Sequence, residues 1–426
     1  MSTHILRALP ELVKEGLLSD EDAAKINAYY AAKKGPQPQR INIVFGIIGS
    51  ILVGMGIILI LAHNWDEMSR MIKVVIAFLP LLIGQLVCGY ALLKKVGNIT
   101  WKESSASFLF FAVGASIALV AQIYNIPGDL SSFLYTWMLL GVPLIYIMSS
   151  SMASLLFLVG VTAYGVSAGY GYQSSHTNHY FWMILLAIAH YFQSILHRPG
   201  SNFTLFQHWF FPLSITICLG TLAVNAGEYM VIAYMSMFGV FYLLGTSSWF
   251  SFKRLLTNSY LIMGSLGTMS ILLALSFKWF WESIANENEL LSLSEWFAII
   301  LPTMAAIFLL YKSINNRHGQ AINPMGFIFA AFIIIFLIGR QEAFIAALLM
   351  NLLVLAAAIF TIRRGHLLNH LGILNYGLLI IAALVVCRFF DTNISFVLRG
   401  LMFVAVGAGF FFANSRLIQK RKVHEQ

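Results

Sequence analysis

The stretch INIVFGIIGSILVGMGIILILA, residues 41–62, runs for twenty-two residues without a charged side chain. At about 1.5 Å of rise per residue, a helix of that length covers about 33 Å, enough to cross a hydrocarbon core of roughly 30 Å. A helix is also one of the few structures that satisfies every backbone N–H and C=O without water. The reading that follows is a membrane span, and the pattern recurs along the chain. Fourteen candidate spans result: 41–62, 72–93, 106–124, 131–149, 152–170, 180–196, 209–226, 229–246, 259–277, 295–312, 324–338, 341–362, 368–387 and 394–413. The weakest are the short 324–338 run and the closely joined pairs around Ser149–Ser151 and Gly227–Glu228, so the expected range is 12–14. Composition agrees: of 426 residues, 59% are hydrophobic and 10% charged, with a mean hydropathy of +0.81. A soluble domain carries about 25% charged residues. Soluble enzymes, disordered chains and disulfide scaffolds are thereby excluded, and the expected fold class is all-α, a polytopic helical membrane bundle.

The charges give an independent check. With the N-terminus cytoplasmic and all fourteen runs crossing, 20 of the 26 Lys and Arg fall inside and 6 outside, while acidic residues divide 7 inside to 10 outside. Loop Lys and Arg are retained on the cytoplasmic side, so both termini are expected there. A wrong parity in mid-chain would have mixed the two sides. Basic residues spread over eight short segments do not form a nucleic-acid surface, and no nucleic-acid partner is expected. Aromatic clusters such as Lys278-Trp279-Phe280-Trp281 read as interfacial anchors. Cys88, Cys218 and Cys387 sit singly in apolar runs and read as buried small hydrophobes. The first 40 residues lack an apolar h-region with a cleavage site, so the first span is expected to start insertion.

The expected domains are a cytoplasmic helical hairpin (1–35), a linker (36–40), the membrane domain (41–413) and a basic tail (414–426). Within the hairpin, Ser19-Asp20-Glu21-Asp22 reads as a capping box opening a helix through about Tyr30, and Gly35-Pro36-Gln37-Pro38 breaks helix. So small a unit buries too little to be stable alone. It is expected to dock on its own membrane domain, on a second copy, or on a cytoplasmic protein; the bilayer is the other expected partner. An internal parallel repeat is one further reading, pairing Ile48-Gly49-Ser50 and Trp65-Asp66-Glu67 with Met263-Gly264-Ser265 and Trp279, Trp281 and Glu282.

Several segments resemble an uncharacterised family of bacterial predicted membrane proteins carrying a domain of unknown function. They are the hairpin from Leu12 to Tyr30, AHNWDE (Ala62 to Glu67), AQIYNIPGD (Ala121 to Asp129), then Trp137 and Pro143, and at the C-terminus RFFDTNISFVLRG (Arg388 to Gly400) running on to Asn414. The resemblance implies a multi-pass protein of the bacterial inner membrane and carries no established activity.

Charges inside a membrane are costly, about 2.5–3.5 kcal/mol each on insertion scales, and usually face a bundle interior or watery cavity. At span ends they collect on the expected outer side, giving as candidate binding residues His63, Asp66, Asp129, Arg340, Glu342, Arg388, Asp391 and Arg399. Each has a plain alternative: snorkelling for Arg399, a structural ion pair for Arg340 with Glu342, and helix capping for Asp129. His63 has no second ligand at helical spacing, so no metal site is expected. No phosphate loop, HExxH or GxSxG is present, and no cofactor is expected. Three functions remain open. The first is a transporter or flippase of a small anionic or lipid-linked substrate using an outer-side charged cavity. The second is a non-catalytic scaffold or sensor recruiting a cytoplasmic partner. The third is a membrane enzyme acting on a lipid or glycan at the outer leaflet, with Asp66, Asp129 or His63 as acid or base.

Overall fold

A computed structural model describes residues 18–33, 65–170, 178–197, 200–247, 257–285, 290–315 and 324–389, with isolated positions elsewhere. The 41–62 run, His63, Asp391 and Arg399 lie outside the described residues, as does most of 394–413. All described secondary structure is helical. The chain divides into two compact units, Met1–Ile76 and Ala77–Gln426.

Helix α1 (Asp20–Lys33) opens the described part of the first unit. The Ser19 hydroxyl accepts from the Asp22 amide at 3.1 Å and donates to the Asp22 carboxylate at 2.7 Å, which is the expected capping arrangement. Lys25 pairs with Glu21 one turn back at 2.9 Å. The exposed Asp66 lies in a turn closed by the Met68 amide on the Trp65 carbonyl (3.3 Å), where the Lys73 ammonium sits 5.5 Å from the Trp65 ring centroid.

Helices α2 (Arg70–Lys94), α3 (Ile99–Tyr124), α4 (Leu130–Ile147), α5 (Ser151–Gly169), α6 (Tyr180–His197), α7 (Asn202–Leu219) and α8 (Met230–Thr246) follow. After them come α9 (Ser259–Ala274), α10 (Lys278–Ala285), α11 (Leu293–Asn315), α12 (Ile328–Gly339), α13 (Ala343–Leu367) and α14 (Leu371–Phe389). Among the described residues, 10 helices are long and apolar enough to cross a membrane, or 11 if a bent pair counts as one. They correspond to ten of the expected spans, with three departures. The span expected at 209–226 runs instead over Asn202–Leu219, seven residues earlier. The run 259–277 breaks after Ala274, and α10 leaves α9 at 85°. The buried Trp281 donates to the Leu275 carbonyl (2.7 Å) across that corner, and within α10 Lys278 pairs with Glu282 one turn on (2.9 Å). The 324–338 run forms a 3-10 turn, Pro324–Phe327, followed by the twelve-residue α12.

Capping side chains fix where helices start. Asn98, Asp129, Ser150 and Asn258 each accept an amide three residues on, opening α3, α4, α5 and α9. Asn258 also donates to the Gly245 carbonyl at 2.7 Å, tying the start of α9 to the end of α8. One apolar core gathers Phe110, Met138, Phe157 and Tyr180 from α3 to α6; another gathers Trp281, Phe329, Phe332 and Phe336 around α10 and α12.

Candidate functional site

The polar groups of this unit fall into three sets. The first comprises the described members of the expected outer cluster. Asp129 caps α4: its carboxylate accepts from the Ser131 hydroxyl at 2.5 Å and the Ser132 amide at 2.9 Å. Those hydrogen bonds, the Ser131 hydroxyl foremost, hold its carboxyl well below the usual carboxylate range. Arg340 places its guanidinium 5.2 Å from the Tyr229 ring centroid. Glu342 stands exposed at the start of α13 and makes no capping hydrogen bond there. Arg388 stacks on Phe277 (4.5 Å) and donates to the Ser276 hydroxyl (3.0 Å). Asn351 donates to the Ser276 carbonyl at 2.9 Å, so Arg388 and Asn351 brace the corner between α9 and α10. Asp129, Arg340 and Arg388 thus meet hydroxyls, a backbone amide and aromatic rings, while Glu342 stands exposed.

Two buried or half-buried carboxylates that the sequence reading passed over form the second set. Glu103 on α3 reaches across to the start of α5, accepting from the Ser150 hydroxyl (2.5 Å) and the amides of Ser151 (3.0 Å) and Met152 (2.9 Å). Glu295, buried at the start of α11, accepts from the amides of Val224, Asn225 and Ala226 at 2.8–3.0 Å and from the Ser292 amide (2.7 Å) and hydroxyl (2.8 Å). Four amides and a hydroxyl thus converge on it as donors, the arrangement a carboxylate requires. A signal for Glu295 was present: Ser292-Leu293-Ser294-Glu295 is a capping box. For Glu103 no local pattern announced a partner 47 residues away. The buried Tyr191 hydroxyl bridges His208 Nδ1 (2.6 Å) and the Tyr260 hydroxyl (3.0 Å), and Ser259 donates to the His208 carbonyl, locking α6, α7 and α9 together.

The third set lines a cavity of about 520 Å³ between α8, α9, α13 and α14. Its walls are mainly apolar, and Leu266 (50% exposed) and Phe360 (44% exposed) stand at its edge, so it opens on the flank of the helices. Arg364 and His370 contribute its polar end; Arg364 donates to the Tyr242 hydroxyl (3.1 Å), and Ser265 donates to Tyr376 (3.0 Å). No carboxylate lies within salt-bridge distance of Arg364 among the described residues. The volume falls within the roughly 300–1,000 Å³ of small-molecule sites, and apolar walls with a few placed polar groups are their usual chemistry. No group of metal-ligating side chains occurs among the described residues. The sequence reading counted Arg364 only as an inner-face cation; the cavity around it is a product of helix packing.

Residues 10–154 match the family described as Predicted membrane protein (DUF2157). The match covers roughly the first third of the chain, through the start of α5. The segments 12–30, 62–67 and 121–129 that carry the resemblance fall inside it, whereas the C-terminal segment 388–400 and the cavity fall outside. No curated protein and no solved structure matches the chain. The chain is a multi-pass helical membrane protein whose N-terminal part is similar to a family of unknown function.

Proposed function

We propose that this chain is a transporter or flippase whose substrate is an anionic, lipid-like molecule, acting in a bacterial inner membrane with both termini in the cytoplasm. The observation that carries the reading is the flank-opening cavity, which offers an apolar bed and a cation not balanced by a described carboxylate. An amphipathic anion needs both, because its tail gains from leaving water and its head needs a charge partner in a low-dielectric setting. The corner between α9 and α10 adds support, since interrupted spans commonly border transport sites. In this reading Arg340, Glu342 and Arg388 remain candidate contacts at the opposite end of the path, with His63, Asp66, Asp129, Asp391 and Arg399 as further members.

The test is reconstitution of the full-length chain in vesicles containing fluorescent anionic and zwitterionic lipids, with a membrane-impermeant quencher added outside. Expected is loss of inner-leaflet fluorescence beyond that in protein-free vesicles, faster for the anionic lipid. Bleaching no greater than with an unrelated helical membrane protein overturns the reading. A second reading, a non-catalytic scaffold or sensor, is favoured by one observation: Asp129, Glu103, Glu295 and Arg388 all serve as structural ties. Vesicles without lipid movement, together with a cytoplasmic protein held by residues 1–35, would support it instead.

A further inference from the structure

Two helix-to-helix turns in this molecule are the same turn. Between α4 and α5, the amides of Met148, Ser149 and Ser150 bond to the carbonyls of Leu144, Tyr146 and Ile145. Between α13 and α14, the amides of Leu368, Asn369 and His370 bond to the carbonyls of Arg364, His366 and Gly365. The central residues, Ser149 and Asn369, share a left-handed conformation (φ 47° and 49°), and each following helix is capped by the next side chain, Ser150 or His370. What differs is the anion. On the first turn the Glu103 carboxylate seats itself on Ser150, Ser151 and Met152. On the second, the corresponding amides of Leu371 and Gly372 meet no acceptor among the described residues. The cavity, with Arg364 and His370 at its polar end, borders this place.

We infer that the α13–α14 turn and the cavity beside it bind one phospholipid with an anionic headgroup. The lipid phosphate takes the place that Glu103 fills on the sister turn, held by Arg364 and His370, and one acyl chain lies along Leu266 and Phe360 in the cavity. The cavity and Arg364 carry the assignment; the open first turn of α14 favours negative charge further. By the charge distribution of the sequence, this is a lipid of the cytoplasmic leaflet. The assignment deepens the reading above by resting on the same cavity, but it requires binding only, not movement across the bilayer.

Native mass spectrometry of the full-length protein in detergent, titrated with phosphatidylglycerol or phosphatidylcholine, tests it. Preferential retention of one phosphatidylglycerol is expected. Arg364→Ala should weaken it about tenfold, equivalent to about 1.4 kcal/mol, while Arg363→Ala, the same charge change outside the cavity lining, should not. Leu266→Trp, which crowds the cavity from its edge, should also lower retention and guards against a misfolded Arg364 variant. Inorganic phosphate or glycerol phosphate alone should not compete at equal concentration, because neither supplies the acyl chain; full displacement by either would make the site a soluble-anion site and overturn the lipid assignment. Equal retention of the two lipids, or equal loss with Arg363→Ala, also overturns it. Selective binding without lipid movement in the vesicle assay removes the transport reading and leaves this one standing; movement without selective binding does the reverse.

Discussion

At the scale of single residues, this charge-poor chain uses several of its acids as fasteners. Glu295 gathers donors from three consecutive amides of the segment between α7 and α8, in addition to its own Ser292. A buried carboxylate that loses its charge leaves those donors facing a weaker acceptor and, in one orientation, an amide N–H. Charge-assisted hydrogen bonds contribute about 1.5–3 kcal/mol each before coupling. Glu295→Gln should therefore destabilise the folded protein by about 3 kcal/mol, whereas Glu342→Gln, on an exposed side chain, should stay within about 0.5 kcal/mol. Thermal or denaturant midpoints in lipid nanodiscs compare the two; equal effects would mean that Glu295 is not the fastener its contacts describe. The same contrast explains what residue-level reading of the sequence found and missed. The Ser19–Asp22 cap and the Asp129 cap are local, and neighbouring letters suffice to see them. Glu103 finds its partners across 47–49 positions, which spacing rules do not reach.

At the scale of elements, glycines set how closely the cavity-forming helices approach. A Cβ on Gly264 would lie 2.4 Å from the Tyr242 amide nitrogen and 2.8 Å from the Phe238 carbonyl oxygen, so α8 and α9 touch backbone to backbone. Gly365 stands in the same relation to α14, 2.5 Å from the Leu374 amide nitrogen. Two tight helical pairs, α8–α9 and α13–α14, thus wall the cavity between them. Adding a methyl must move a backbone, and overpacking costs about 1–3 kcal/mol. Gly264→Ala and Gly365→Ala should each destabilise by that amount and alter lipid retention. Gly89→Ala, where a Cβ meets nothing within 4 Å, should be neutral or slightly stabilising, since alanine favours helix by about 0.5–1 kcal/mol. Stability measurements on the three variants check this; a loss at Gly89 matching the others would argue against close approach as the cause. The elements themselves were legible, because apolar length is the requirement of the bilayer and is written in consecutive residues. The corner at 275–277 was not: Leu275, Ser276 and Phe277 read as continued span, and only Trp281, Asn351 and Arg388 closing on it turn the chain.

At the scale of the whole molecule, the charge count assigns Asp129 and Arg364 to opposite faces. Single cysteines at positions 129 and 364, in a background lacking Cys88, Cys218 and Cys387, should label from opposite sides of intact cells or oriented vesicles. Labelling of both from one side would contradict an odd number of crossings between them, and labelling of position 364 from outside would undo the cytoplasmic placement of the cavity mouth. The repeat proposed between 48–67 and 263–282 has its first half largely outside the described residues; the likeness that packing reveals lies elsewhere, in the turns at 148–150 and 368–370. By itself the sequence determined that the chain is helical and built for lipid, and where the helices run, because hydrophobic length and capping are properties of neighbouring residues. Tertiary structure alone decided which polar groups became ties and which border a cavity. That choice depends on distance between helices far apart in the chain, and a linear pattern carries no record of which of them will touch.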